Sequence, residues 1–280
     1  MANETMAAYW ADEAGPEWVA NQEVFDHLLE PFGRAALDGL GLQPGESVLD
    51  VGCGFGTTAI EAAEIVGPSG RVVGIDIAPA MVERAAVRAA MRGLDGVSFL
   101  VADAQVHHFT RPVDTVVSRF GVMFFDDPVA AFANLHSVVR PGGRLSFVCW
   151  QSPDQNPWIT APVRAWAPYL PEPPAPIRAD APGPFAFADG ARVSAILADA
   201  GWDDVAVVAE HDDARMGGGR GVEGALEQAL ATSTGRALRG SLPPDRLEAA
   251  MDDLRALFAE RLVDGDVVFP AAAWLVTARR

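Results

Sequence analysis

Short apolar runs alternate with stretches of helical period through the first half of the chain. Residues 47–51, 72–77, 97–101, 113–118 and 144–150 each read as a buried strand. Between them, residues 57–66, 79–93 and 128–139 carry apolar positions at helical spacing, with Met81, Ala85, Val87 and Met91 as the expected core face of the second helix. Ahead of the first strand, Trp18, Phe25, Leu28, Leu29 and Phe32 mark a helix over residues 16–39, which Pro31 is expected to kink or split. Gly39, Gly41, Pro44 and Gly45 punctuate its end.

The pattern changes after Trp150. Residues 153–184 are rich in proline and read as an irregular excursion. A helix over 191–200 and a strand over 203–209 follow, then a glycine cluster at 216–221. Helices over 222–238 and 243–262 precede a last strand at 267–277.

Strand–helix alternation of this kind predicts an α/β fold: a doubly wound, seven-stranded, mostly parallel sheet with right-handed crossovers. An N-terminal helical lid (1–45), a nucleotide-binding core (46–150) and a C-terminal part (151–280) would form one domain. The helices between the last two strands would cap the site. Ligands of such sheets bind beyond the carboxyl ends of the strands, where strand order reverses.

Composition narrows the chemistry. The net charge is −17 and no arginine cluster forms a basic patch, so nucleic acid and anionic membrane surfaces are poor partners. All 21 basic residues are Arg. Without Lys, neither a Walker-type phosphate loop nor a pyridoxal phosphate Schiff base can be built. Two cysteines, Cys53 and Cys149, make no disulfide framework, and no Cys/His cluster has zinc-ligand spacing. No apolar stretch is long enough to span a bilayer, and the acidic N-terminus does not read as a signal peptide, so a cytoplasmic location is expected.

The most informative stretch is Val48-Leu49-Asp50-Val51-Gly52-Cys53-Gly54-Phe55-Gly56-Thr57. A strand runs into three glycines and then a helix whose first N–H groups are free to bind a ligand. The spacing is G-x-G-x-G. The dinucleotide fingerprint G-x-G-x-x-G would need glycine where Thr57 stands. Asp76 ends the second strand, suited to ribose hydroxyls, and Asp103 ends the third, suited to an adenine amine.

Asp50 to Thr57, Asp76, Asp103 and the Pro141-Gly142-Gly143-Arg144-Leu145 turn together resemble the landmarks of class I S-adenosylmethionine-dependent methyltransferases, which have a Rossmann-like fold. The likeness is greatest to the branch of ubiquinone and menaquinone methylases and bacterial small-molecule methyltransferases. It implies that Gly52, Gly54 and Gly56 pack against the methionine part of the cofactor and that Asp50 orders its amino group. Asp76 would hold the ribose, Ile77 would flank the adenine, and Asp103 and Ala104 would meet its edge. Ser118 would offer its backbone carbonyl to the amino group. The product would be S-adenosylhomocysteine.

The acceptor side is less legible. His107 is the first candidate for a general base among the five histidines. Arg119, after the fourth strand, could fork onto an acceptor anion or form an internal ion pair. Trp18, Gln22, Phe120 and Trp150 are the candidate substrate contacts, with Tyr9 and Trp10 joining Trp18 in the lid and Asn156 and Trp158 following Trp150. The expected activity is methyl transfer to an oxygen, nitrogen or carbon of a small molecule, in secondary metabolism. A quinone C-methyltransferase, an NAD(P)-dependent oxidoreductase and a non-catalytic cofactor-binding module are the alternatives. No metal is called for, and the oligomeric state is not readable.

Overall fold

The computed structural model describes residues 3–170, 172 and 181–280. Helix α1 (Glu4–Ala8), a π-helical stretch (Tyr9–Ala14) and α2 (Gly15–Ala20) form the N-terminal segment. Helix α3 (Gln22–Leu40) leads into the core, built from β1 (Ser47–Val51), α4 (Thr57–Val66), β2 (Arg71–Asp76), α5 (Pro79–Met91), β3 (Val97–Val101), β4 (Val113–Arg119), α6 (Pro128–Val138) and β5 (Val139–Trp150). Helices α7 (Pro157–Trp166) and α8 (Gly190–Asp199) precede β6 (Asp203–Met216). Then come α9 (Gly221–Leu230), α10 (Ser233–Ser241), α11 (Pro244–Ala259), the two-residue β7 (Leu262–Val263) and β8 (Asp266–Arg279).

The sheet runs β3-β2-β1-β4-β5-β8-β6, and β7 pairs only with β8. Five strands are parallel, and β8 lies antiparallel to both β5 and β6. The expected doubly wound sheet is therefore present, with seven long strands and one short addition. Strand order reverses between β1 and β4, which opens a crevice above their carboxyl ends.

Several expectations are corrected. Pro31 sits inside a continuous α3, and the break falls at Asn21. In α5 the buried positions are Met81, Val82, Ala85 and Ala89, whereas Val87 and Met91 face solvent. The buried stripe follows the i, i+4, i+8 spacing from Met81 through Ala85 to Ala89, and positions 87 and 91 fall off that face. Part of the proline-rich excursion is the helix α7, which Pro157 opens at its first position; residues 171 and 173–180 of that excursion lie outside the described residues. Two helices, not one, occupy 222–238: the side chain of Thr232 caps α10 by accepting the Gly235 N–H. The Pro141-Gly142-Gly143 turn falls within β5, whose pairing with β4 shifts register there.

Candidate cofactor and acceptor site

The turn after β1 is held from two sides, by the ends of β2 and β4. The N–H groups of Gly52 and Cys53 donate to the Ile75 carbonyl at 2.8 and 3.1 Å. The Ser118 hydroxyl donates to the Val51 carbonyl at 2.7 Å and accepts the Gly121 N–H at 3.2 Å. Gly52 is in the left-handed region (φ +66), and a Cβ there would stand 2.6 Å from Gly121 Cα. The turns after β1 and β4 thus touch backbone to backbone, which only glycine permits.

Above this junction lies a cavity of about 490 Å³, within the ordinary size of a small-molecule site. Its floor includes Gly52, Gly54, Asp76, Ile77, Asp103 and Ala104. Asp76 accepts the Gly54 and Ala78 N–H groups, one on each oxygen, at 2.8 and 2.9 Å. Burial raises its pKa, and those backbone donors oppose the rise. Asp103 Oδ1 accepts from Asn3 Nδ2 at 2.7 Å and from the Gln105 N–H at 2.9 Å. Its Oδ2 is buried with no partner.

The rest of the cavity is aromatic. Trp18 stacks on Phe25 at 3.9 Å, nearly parallel, and meets Trp10 edge-on. Phe120 stacks on Trp150 at 3.9 Å. Phe120 also has φ +60, a strained conformation for an aromatic residue, held by its N–H bond to the Val148 carbonyl. All five side chains line the cavity, as does Trp158 from α7.

Other candidates sit elsewhere. Asp50 does not line the cavity: it lies behind the glycine turn, 1% exposed, and neither carboxylate oxygen has a hydrogen-bond partner. Burial pushes its pKa up to about 7, with Arg119 pulling the other way. Gly56 is also not a lining residue; a Cβ there would collide with Ala85 and Phe99, so its role is helix–sheet packing. Ser118 is fully buried as the clamp described above.

On the acceptor side, His107 does not line the cavity. Its ring packs edge-on against Phe109 and its carbonyl accepts from Asn134. Gln22 is drawn away by Asp26, to which its amide donates, and by Arg84, which donates to it at 2.6 Å. Arg119 does line the cavity, yet its guanidinium pairs with Asp26 at 3.3 Å, so the internal ion pair holds.

Reading the sequence missed Asn3, whose side chain joins Asp103 to the Asp126 N–H and ties the N-terminal segment to the site. No pattern signals a lone Asn near a terminus. It also missed Gln228 of α9 and Thr232, Ser233 and Thr234 at the start of α10, which line the cavity from more than 170 positions beyond the glycine turn.

A family model described as a methyltransferase domain matches residues 42–201, more than half of the chain. The chain belongs to the methyltransferase-domain family. Among curated relatives, this methyltransferase domain is 43% identical over 118 residues to aklanonic acid methyltransferase DauC of Streptomyces sp. (strain C5), a stretch covering 42% of this chain and 54% of that one. It is 38% identical over 142 residues to the nocamycin O-methyltransferase of Saccharothrix syringae, covering 50% of this chain and 51% of that one. The chain thus spans about half the length of these relatives. A solved structure of a putative methyltransferase from Bacillus halodurans C-125 shares the fold, with a TM-score of 0.57 at 19% identity over 88% of this chain and 97% of that one. No helix among the described residues is long and apolar enough to cross a membrane.

Proposed function

We propose that this protein transfers the methyl group of S-adenosylmethionine to an oxygen of a small, largely apolar molecule. The observation that carries this reading is one cavity that joins the glycine turn of β1 to an aromatic chamber. The names of the two relatives support a small-molecule acceptor, and that of the second supports oxygen as the receiving atom.

The residues on the floor fit the cofactor. Gly54 is open above: a Cβ there would meet only Met81 Sδ, at 3.9 Å, so the main chain is free to be approached. Asp76 offers a carboxylate for the ribose hydroxyls, and the unpartnered Asp103 Oδ2 offers an acceptor to the adenine amine. A cationic amino group above the turn would favour the ionised form of Asp50, which burial opposes and Arg119 supports.

When bound, S-adenosylmethionine supplies an electrophilic methyl on a sulfonium. The chain's own task is alignment and exclusion of water, and orientation alone can lower such a barrier by about 7–11 kcal/mol in favourable cases. The lid residues Trp10 and Trp18 close one side, and the aromatic walls hold an apolar acceptor. Calorimetric titration with S-adenosylhomocysteine tests the first half of the reading, with micromolar affinity expected. Absence of binding at millimolar concentration removes it. Turnover of a panel of phenols, enols and carboxylic acids tests the second half.

A further inference from the structure

Unpartnered polar groups around the cavity are sorted by kind. At the β-strand end the orphan is an acceptor, Asp103 Oδ2. Among the cap and α7 residues the orphans are donors: Gln228 Nε2 and Trp158 Nε1 are both buried without a partner, and both residues line the cavity. Gln228 is 1% exposed, and its Oε1 is already occupied by the Gly217 N–H at 3.0 Å, which fixes the amide with its donor end unused.

Five residues beyond Gln228, helix α10 begins at Ser233. Thr232, Ser233 and Thr234 line the same cavity, so the start of a nine-residue helix opens onto it. The first-turn N–H groups of a helix lack intrahelical acceptors and carry partial positive charge. Thr232 takes one of them, that of Gly235. Arg236, on the same turn, donates to the Ala231 carbonyl and lies over the Tyr9 ring. Among the described residues, the carboxylates lining the cavity are Asp76 and Asp103, at the end of β2 and after β3. The cap corner therefore offers donors and positive potential within an otherwise apolar, aromatic chamber.

We infer that this corner, with Gln228 as its specificity-determining residue, anchors a hydrogen-bond-accepting oxygen carried by an apolar ring system. A ketone attached to the ring and a carboxylate share that chemistry. The inference rests on the acceptor-chamber part of the proposed function and names the substrate class that the chamber takes.

Three matched probes test it on the full chain by calorimetry, with and without saturating S-adenosylhomocysteine: 2-ethylnaphthalene, 2-acetylnaphthalene and 2-naphthoate. At least one oxygenated probe is expected to bind about tenfold or more tightly than the ethyl compound, the ketone and carboxylate arms showing which oxygen is preferred. Gln228→Leu is expected to bring that preference below threefold. Because Leu also deprives the Gly217 N–H of its acceptor, Gln228→Glu serves as the second variant: it keeps that acceptor, removes the donor, and is expected to bind 2-acetylnaphthalene no more tightly than 2-ethylnaphthalene and 2-naphthoate at least tenfold more weakly than the wild type. Equal binding of all three probes, or a preference that survives both substitutions, overturns the inference. The affinity for S-adenosylhomocysteine, measured separately in each protein, reports on the cofactor reading. Its loss in the wild type would remove that reading while the probe preference measured without it still judges the corner.

Discussion

Asp26 Oδ1 accepts the Thr57 hydroxyl at 2.5 Å, joining α3 to the first residue of α4, the helix after the glycine turn. The same carboxylate pairs with Arg88 at 3.0 Å and with Arg119 at 3.3 Å. Arg88 in turn donates to the Phe55 carbonyl at 2.8 Å, inside the turn itself. One acid thus ties α3, α5 and the ends of β1 and β4 together beneath the site.

Asp26→Ala is expected to lower stability by about 2–4 kcal/mol, less than the loss of a fully buried pair, because the carboxylate and Arg88 each keep 16% of their side chains accessible. Cofactor affinity should fall at least fivefold with it, since Phe55 and Thr57 lose their anchor. Denaturant melts and S-adenosylhomocysteine titration measure the two effects. A variant with unchanged cofactor affinity would separate this cluster from the turn.

Asp50 makes the protein pH-sensitive in a defined direction. Its pKa in the folded chain is about 7, against an ordinary value of 3.8. Below about pH 4 it is protonated in both states. Between 4 and 7 the unfolded chain loses that proton while the folded chain keeps it, so stability falls as pH rises, by up to about 4 kcal/mol. Asp50→Asn removes this component. The Tm of the wild type should therefore drop more steeply than that of the variant from pH 5 to 8. Parallel curves would show that Asp50 ionises freely.

The first two glycines of the turn should fail differently. Gly52→Ala drives a Cβ into the Gly121 backbone and is expected to unfold the turn, with a Tm loss of many degrees. Gly54→Ala meets open space and costs only about 1–2 kcal/mol for its left-handed φ of +52. Its methyl would stand on the cavity side, so the folded variant should lose cofactor affinity tenfold or more. Similar melts for the two variants would contradict the packing described here.

Asp76→Ala is expected to weaken cofactor binding by about 1–3 kcal/mol. It also strips the Gly54 and Ala78 N–H groups of their acceptor, so Asp76→Asn, which keeps one oxygen, should lose less. Equal losses would mean that a single retained oxygen contributes nothing to cofactor binding.

Local pattern by itself determined the strand–helix alternation, the glycine turn and the acids Asp76 and Asp103 at strand ends, because each follows from residue type within a few neighbours: apolar period, tolerance of positive φ, a breaker after a strand. Trp18, Phe120 and Trp150, singled out by the same pattern, all line the cavity. Only the tertiary structure decided which polar groups meet. Gln22 and Arg119 turn to Asp26, Asn3 reaches Asp103 across 100 positions, and Gln228 keeps an unused donor at the cavity. Partnerships of that kind depend on how close the folded backbone brings distant side chains and on which charges lose their water together, and neither quantity is written in the spacing of residues along the chain.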